Sequence, residues 1–139
     1  MVAYSFKARF AAPILAGTKA QTIRAERAGR SRHARPGERL QLYTGLRTRQ
    51  CRHLGEAACL AVWPIELHLV VGLVFANDGW IRTDEDLDAF ARQDGFRDWS
   101  DMLAFWKAEH PDAVVFTGIL IRWQPLVAVD ALDIAAKAA

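Results

Sequence analysis

GTKAQTIR, residues 17–24, marks the point at which a short helix is expected to give way to a strand. Apolar residues recur at helical spacing just before this stretch, and Gly17 stands where a glycine commonly ends a helix. Residues 22–25 then have the composition of a short strand. A helix, a turn and a strand are therefore predicted in that order, with Lys19 in the turn.

The predicted turn decides whether the side chains of Lys19 and Thr22 can act together. In a straight strand, Lys19 and Thr22 would point to opposite faces, so they can cooperate only if the chain turns between them. Thr22 and Arg24 share one face of the strand, and Ile23 points into the core. A hydroxyl beside a desolvated lysine is one arrangement for an activated nucleophile, and an arginine can hold a phosphate or an oxyanion. The alternative is a solvated Lys19, a threonine that only favours the strand, and an Arg24 paired with Glu26.

A second polar cluster follows the predicted strand over residues 39–43. Tyr43 ends that strand, and Arg47 and Arg49 follow it in a basic loop over residues 44–53. An aromatic ring beside two arginines can stack on a base and bind phosphate. The alternative is a tyrosine at the rim of the sheet beside a solvated loop.

The charge of the chain is divided unevenly along its length. Residues 1–52 hold 12 of the 18 basic residues and only two of the 16 acidic ones, although the net charge is +2. A one-sided basic field attracts polyanions, of which a nucleic-acid backbone is the commonest. The alternative is that the two halves neutralise each other across one folded surface.

The remaining pattern predicts an α+β protein of about five to six short, mostly antiparallel strands with two to three helices on the outside of a small curled sheet or barrel. Glycine, proline and capping residues give the main boundaries. The predicted features are a loop over residues 26–35, strands over residues 54–63, 65–75 and 114–123 with Pro64 between the first two, a hairpin turn at Asn77-Asp78-Gly79, and helices capped by Thr83 and Asp98.

Length and composition limit the classes of protein that remain. A chain of 139 residues with 52% hydrophobic residues is expected to form one domain with a real core. No segment approaches the roughly 20 apolar residues of a membrane span, and the start lacks the apolar core of a signal peptide. Cys51 and Cys59 are each expected to be a free, buried thiol. These observations predict a cytoplasmic protein without membrane association, metal or cofactor, and they do not indicate a protein partner.

The order of these residues resembles the ASCH domain, a member of the PUA-like superfamily, over about residues 4–123. The core of the resemblance is the G-x-K-x-x-T-I-R pattern at Gly17 to Arg24 with a Pro-Gly pair downstream. The residues that carry the resemblance are Phe10, Ile14, Leu15, Gly17, Lys19, Thr22, Ile23, Arg24, Pro36, Gly37, Leu40, Tyr43, Thr44, Gly45, Asp94, Gly95, Phe116 and Gly118.

The resemblance implies a PUA-like β-barrel over residues 1–125. Residues 126–139 are expected to be a C-terminal tail, and its Ala-rich composition from Asp130 onward predicts a helix or a frayed end. One branch of the family is a metal-independent amidohydrolase that removes the acetyl group from N4-acetylcytidine with a lysine, a threonine and a glutamate. Lys19 and Thr22 match the first two, and Asp94 stands about where the glutamate falls. Other ASCH proteins are associated with RNA binding and with metal-independent RNA cleavage.

The resulting hypothesis is a basic cleft that binds RNA or a modified nucleoside or nucleotide. The expected catalytic residues are Lys19, Thr22 and Asp94, and an amide similar to N4-acetylcytidine is the expected substrate of a hydrolase. The alternatives are a single-stranded RNA-binding protein and a metal-independent ribonuclease. The residues expected to bind substrate or nucleic acid are Arg24, Tyr43, Arg47, Arg49 and Thr117.

Overall fold

The structure, a computed structural model, describes residues 1–27 and 32–127. These residues form an α+β fold that contains three α-helices and a seven-stranded mixed sheet, so the predicted class is confirmed. The strands are β1 (Val2–Phe6), β2 (Gln21–Arg24), β3 (Arg39–Thr44), β4 (Arg52–His68), β5 (Leu73–Ala76), β6 (Gly79–Ile81) and β7 (Val115–Trp123). The helices are α1 (Ala11–Ala16), α2 (Asp84–Gln93) and α3 (Trp99–Glu109), and a short 3₁₀ helix over Ala8–Phe10 precedes α1.

The long strand β4 holds the sheet together because it pairs with three other strands. Its first part pairs with β3, and its second part pairs with β5 and β7. β1 pairs with β3, β6 pairs with β5, and β2 pairs with β7. Every pair is antiparallel except β1 with β3, which confirms the prediction of mostly antiparallel strands. Among the described residues the strand pairs form no closed ring.

The predicted division of this region at Pro64 is wrong. β4 continues through Pro64, which lies opposite Ile119 of β7, and the chain turns only after His68. Pairing with β5 starts at Ile65, so β4 has a single hydrogen-bonded neighbour at the proline. A strand with one free edge accommodates a proline because that edge needs no N–H donor.

The hairpin between β5 and β6 is confirmed where the sequence predicted it. Asn77 and Asp78 have positive φ angles of 52° and 58°, as the two central residues of a type I′ turn require. Gly79 then begins β6, a strand of three residues. This short strand brings the number in the described part of the chain to seven, one more than the five to six that the sequence predicted.

The predicted helix ends are also confirmed. Thr83 and Asp98 each accept a hydrogen bond from the backbone N–H three residues further on, at 3.1 Å and 2.9 Å. Gly17 ends α1 with a φ angle of 81°. A Cβ atom at Gly17 would lie 2.4 Å from the carbonyl oxygen of Leu126, so no larger residue fits this turn.

The predicted cysteine burial is confirmed for one thiol only. Cys59 lies in the core, whereas Cys51 is exposed just before β4, so that prediction is wrong for Cys51. Both thiols are free. Cys51 is exposed because it belongs to the connection between β3 and β4, which faces solvent.

Parts of two predicted segments lie outside the described residues. These are residues 28–31 of the predicted loop and residues 128–139 of the predicted tail. Just before residue 128, Leu126 packs against the core. No helix within residues 1–27 and 32–127 is long and apolar enough to cross a membrane.

Candidate active site

Lys19 lies in the turn between α1 and β2, and backbone hydrogen bonds fix the shape of that turn. The N–H groups of Thr18 and Lys19 both donate to the carbonyl of Pro13, each at 3.0 Å. The N–H of Ala20 donates to the carbonyl of Gln93 at the end of α2, also at 3.0 Å. The turn is therefore tied to the end of α2 just before β2 begins. Lys19 is buried between these elements, with only 2% of the residue exposed.

The Lys19 amine is held by two backbone carbonyls. Nζ donates to the carbonyl of Gln21 at 2.8 Å and to the carbonyl of Asp94 at 2.6 Å. The Phe10 ring centroid lies 4.6 Å from Nζ. Burial lowers the pKa of Lys19 to about 8, although the charge of Asp94 acts in the opposite direction. The amine can therefore exchange its proton close to neutral pH.

The two carbonyl contacts accommodate the neutral amine, whereas the Asp94 charge and the Phe10 ring favour the protonated one. A neutral amine has two N–H groups and one lone pair, and the two N–H groups match the two carbonyls. Neither carbonyl engages the lone pair of this form. A protonated amine has a third N–H, and Asp94 Oδ2 at 3.8 Å is too distant to accept a good hydrogen bond from it.

Thr22 and Arg24 lie on one face of β2 and contact each other, as the strand alternation predicted, while Ile23 is buried in the core. Arg24 Nε donates to Thr22 Oγ1 at 3.1 Å, and Arg24 Nη2 donates to the carbonyl of Ser5 at 2.7 Å. A guanidinium can only donate, so the Thr22 oxygen accepts this bond and keeps its own proton for another acceptor. The ion pairs of the described residues do not include one between Arg24 and Glu26.

Asp94 directly follows α2 and is buried, with 4% of the residue exposed. Its Oδ1 accepts a hydrogen bond from Gln21 Nε2 at 3.1 Å. Burial raises the pKa of the Asp94 carboxyl, against the lowering effects of the Lys19 charge and the Gln21 hydrogen bond. Burial therefore favours the uncharged form of both Lys19 and Asp94. Perturbed pKa values of this kind are typical of functional sites and also occur in structural ion pairs.

Gly95 leaves space for the lysine beneath the end of α2. Its φ angle is 93°, which an L side chain rarely adopts. A Cβ atom at this position would lie 2.8 Å from Lys19 Cδ and 3.1 Å from Phe10 Cδ1. The glycine therefore serves both the end of the helix and the path of the buried side chain.

One cavity of about 240 Å³ brings four of the predicted site residues together. Lys19, Thr22, Arg24 and Asp94 all line it, and its remaining wall is largely aromatic. The aromatic residues are Phe6, Phe10, Phe96, Phe105 and Trp106. The charged, hydroxyl and carboxyl groups of these four side chains therefore face a space whose aromatic wall suits a flat ring.

Three other predicted residues lie outside this cavity. The ring of Tyr43 packs against His53, with the centroids 4.9 Å apart. Arg49 is exposed in the connection between β3 and β4, and Thr117 is exposed on β7, where it lines a different cavity with Glu26. The structure therefore does not bring Tyr43, Arg49 and Thr117 to the lysine.

A wider groove of about 660 Å³ adjoins the cavity, and Ser5 and Arg24 line both. Its charged side chains are all arginines, because Arg27, Arg32 and Arg47 line it together with Arg24. Arg32 pairs with Glu38 through two hydrogen bonds of 2.6 Å and 2.7 Å, so its charge is partly balanced. Of the two arginines predicted to bind in the loop over residues 44–53, Arg47 lines the same groove as Arg24.

Sequence reasoning missed Gln21 and Arg122. Gln21 contacts Asp94, and Arg122 Nε donates to Gln21 Oε1 at 3.2 Å. The strand alternation that placed Ile23 in the core also places Gln21 on that side, so a buried amide in need of partners was predictable. Its partner on β7 was not, because pairing between β2 and β7 joins residues about a hundred positions apart.

Within residues 1–27 and 32–127, no three His, Cys, Asp or Glu side chains form a group that could hold a metal ion. Comparison with known proteins finds no matching family model, no matching curated protein and no matching solved structure. Function is therefore inferred from the chemistry of the site.

Proposed function

We propose that the protein is a metal-independent amidohydrolase that removes the acyl group from an amide similar to N4-acetylcytidine. The observation that carries this proposal is the hydrogen bond from Arg24 to the Thr22 hydroxyl in the cavity that also holds the buried amine of Lys19. The arrangement supplies a nucleophile, a cation beside it and a base whose pKa is about 8. Asp94 contributes the carboxyl group next to the amine.

The reaction would proceed in two stages. The Thr22 oxygen attacks the acyl carbon while the neutral Lys19 amine accepts the hydroxyl proton. The carbon–nitrogen bond then breaks, and the protonated Lys19 gives that proton to the leaving exocyclic amine, which leaves an ester on Thr22. A water molecule attacks the ester with Lys19 again as the base, and the acid and the free hydroxyl are restored.

Arg24 has two roles in this scheme. Its bond to Thr22 Oγ1 orients the hydroxyl, and its charge stabilises negative charge that develops at the reacting oxygens. The Ser5 carbonyl holds the guanidinium in this position. The aromatic wall, which includes Phe10 and Phe105, would pack against the planar base and exclude water from the charges.

The proposal is tested with purified protein and N4-acetylcytidine in the presence of EDTA. Thr22→Val removes the hydroxyl but keeps the shape of the side chain, and Thr22→Ser keeps the hydroxyl as the matched control. We expect Thr22→Val to lose at least about 100-fold in kcat/KM and Thr22→Ser to keep measurable activity. Full activity in Thr22→Val would refute this mechanism, and a lack of hydrolysis by the unaltered protein would refute the function.

The arginine groove favours a second candidate function, which is binding of single-stranded RNA. Arg27 and Arg47 line this groove without a described ion-pair partner. RNA affinity should then fall steeply with salt, and Arg27→Gln and Arg47→Gln should each weaken that salt dependence, whereas Thr22→Val should not. Salt-independent binding, or no binding, would contradict this candidate.

Metal-independent RNA cleavage is the weaker form of this candidate. It was predicted to use Tyr43 and Arg49, and neither residue lines the groove or the cavity. Incubation of the protein with single-stranded RNA in EDTA tests this candidate. Cleavage that disappears in Tyr43→Phe or Arg49→Ala would support it. Intact RNA after incubation with active protein would contradict it.

We also propose that the chain is an ASCH domain of the PUA-like superfamily. The support is the α+β fold and the shared cavity of Lys19, Thr22 and Arg24 from the G-x-K-x-x-T-I-R pattern. The proposal adds closure of the sheet into a small barrel around β4. An experimental structure with β2 or β7 hydrogen-bonded back to β1 or β3 would support closure, and an open sheet would refute it.

A further inference from the structure

Gln21 links the candidate site to an arginine on the neighbouring strand. The residue is buried, with 1% exposed, and its Nε2 donates to Asp94 Oδ1 at 3.1 Å. Its Oε1 accepts a hydrogen bond from Arg122 Nε at 3.2 Å, and Arg122 lies opposite Gln21 in the pairing of β2 with β7. The contacts form a continuous chain from Arg122 through Gln21 to Asp94 and Lys19.

The direction of the Gln21 amide decides its effect on Asp94. An NH₂ group facing the carboxyl stabilises the carboxylate, whereas an oxygen facing it would require a protonated acid. Arg122 can only donate, so its bond to Oε1 leaves the NH₂ group for Asp94. Arg122 is itself held in place, because its guanidinium carbon lies 5.1 Å from the Trp63 ring centroid and its Nη2 donates to Gln93 Oε1 at 3.2 Å.

We propose that Gln21 is a positioning residue, and that Arg122 locks its amide so that the NH₂ group holds the Asp94 carboxylate beside Lys19. The catalytic meaning of this inference rests on the proposed amidohydrolase function, whereas the lock itself does not. Gln21 does not line the cavity, so it acts through Asp94 and has no contact with substrate.

The charged groups around the pair define the consequence of losing this bond. Lys19 and Arg24 are the cations near the Asp94 carboxyl, and Arg24 and Arg9 are the further cations near the Lys19 amine. The Gln21 NH₂ group lowers the pKa of Asp94 against the effect of burial. Loss of this donor should raise the pKa of Asp94, and the weaker negative charge should then lower the pKa of Lys19 further.

The lock is tested on the full chain by NMR of ¹³C-labelled aspartate carboxyl groups during a pH titration. Gln21→Met removes the amide at similar size, and Gln93→Met is the matched control because the Gln93 side chain accepts a hydrogen bond from Arg122, whereas the Asp94 carboxyl is bonded by Gln21. We expect the titration midpoint of Asp94 to rise by about one pH unit in Gln21→Met and by clearly less in Gln93→Met, which loses only one of the contacts that hold Arg122. Equal midpoints in the unaltered protein and Gln21→Met, or equal shifts in both variants, would overturn the proposal.

A second variant keeps the test independent of whether the buried substitution folds. Arg122 is partly exposed, so Arg122→Met should be tolerated, and it frees the amide to turn. We expect a smaller midpoint shift in the same direction, and an unchanged midpoint would overturn the lock. In the deacetylation assay, the rise of kcat/KM with pH should move to lower pH in Gln21→Met. Absence of deacetylation at every pH would refute the proposed function alone, because the NMR titration still decides the role of Gln21.

Discussion

The rate of acetyl removal is expected to rise with pH through a midpoint near 8, because Lys19 must be neutral to accept the Thr22 proton. Burial lowers the pKa of this lysine from 10.5 to about 8. With that pKa, roughly one tenth of the amines are neutral at pH 7 and roughly nine tenths at pH 9. We therefore expect kcat/KM to increase about tenfold between pH 7 and pH 9. A lysine of ordinary pKa would be only about 3% neutral at pH 9 and would give no plateau.

The assay is the initial rate of N4-acetylcytidine hydrolysis from pH 6 to pH 10, with the rate in Thr22→Val subtracted as background. Asp94→Asn provides the directional test, because the negative charge of Asp94 raises the pKa of Lys19. Removal of that charge should move the midpoint of the pH profile to lower pH, whatever its effect on the maximal rate at high pH. This shift distinguishes an effect on the lysine from a general loss of structure.

Three results would contradict this reasoning about Lys19. A profile that stays flat between pH 6 and pH 9 would show that no group with a pKa near 8 controls the reaction. A normal profile in Lys19→Met would show that another group is the base. A midpoint that moves to higher pH in Asp94→Asn would contradict the electrostatic coupling of the two residues.

Further predictions concern the stability of the site, measured by urea unfolding. Lys19→Met and Asp94→Leu should each lower the free energy of unfolding by about 3–5 kcal/mol, whereas the double variant should come close to the unaltered protein; additive losses would contradict the buried pair. Lys19 binds its proton more weakly in the folded than in the unfolded state. The free energy of unfolding of the unaltered protein, relative to that of Lys19→Met, should therefore rise by about 3 kcal/mol between pH 8 and pH 10.5. A difference between the two proteins that stays constant with pH would contradict the lowered pKa. Gly95→Ala should destabilise more than Gly37→Ala, since both have φ near 90° but only Gly95 faces Lys19; equal losses would show that the close contact costs nothing.

Local patterns predicted the elements around the site well. The end of α1 at Gly17, the shared face of Thr22 and Arg24, and the caps at Thr83 and Asp98 each depend on residues within a few positions of one another. Such short-range rules follow from backbone geometry and are not overridden here by the tertiary structure. The turn needed to bury Lys19 was likewise predictable from the glycine before it.

Features that depend on distant parts of the chain were not predictable in the same way. Pro64 suggested a strand boundary because the sequence does not show that β4 has a single neighbour at that point. Tyr43 was expected in the cleft, but its ring packs on His53 across the β3–β4 pair. The contact of Asp94 with Lys19 depends on how α2 meets the turn before β2, which local spacing does not contain.

The pairing of β2 with β7 has a consequence for the synthesis of the protein. In the described part of the chain, β2 has no strand partner other than β7, and Trp123 also donates a backbone hydrogen bond to Ala20 beside Lys19. A nascent chain on the ribosome carries Lys19 and Thr22 from the beginning, but it cannot fix them in place until residues 115–123 have emerged. Translation products truncated before residue 115 would therefore carry Lys19 and Thr22 without the assembled cavity, and the proposed activity would appear only in molecules whose synthesis has passed β7.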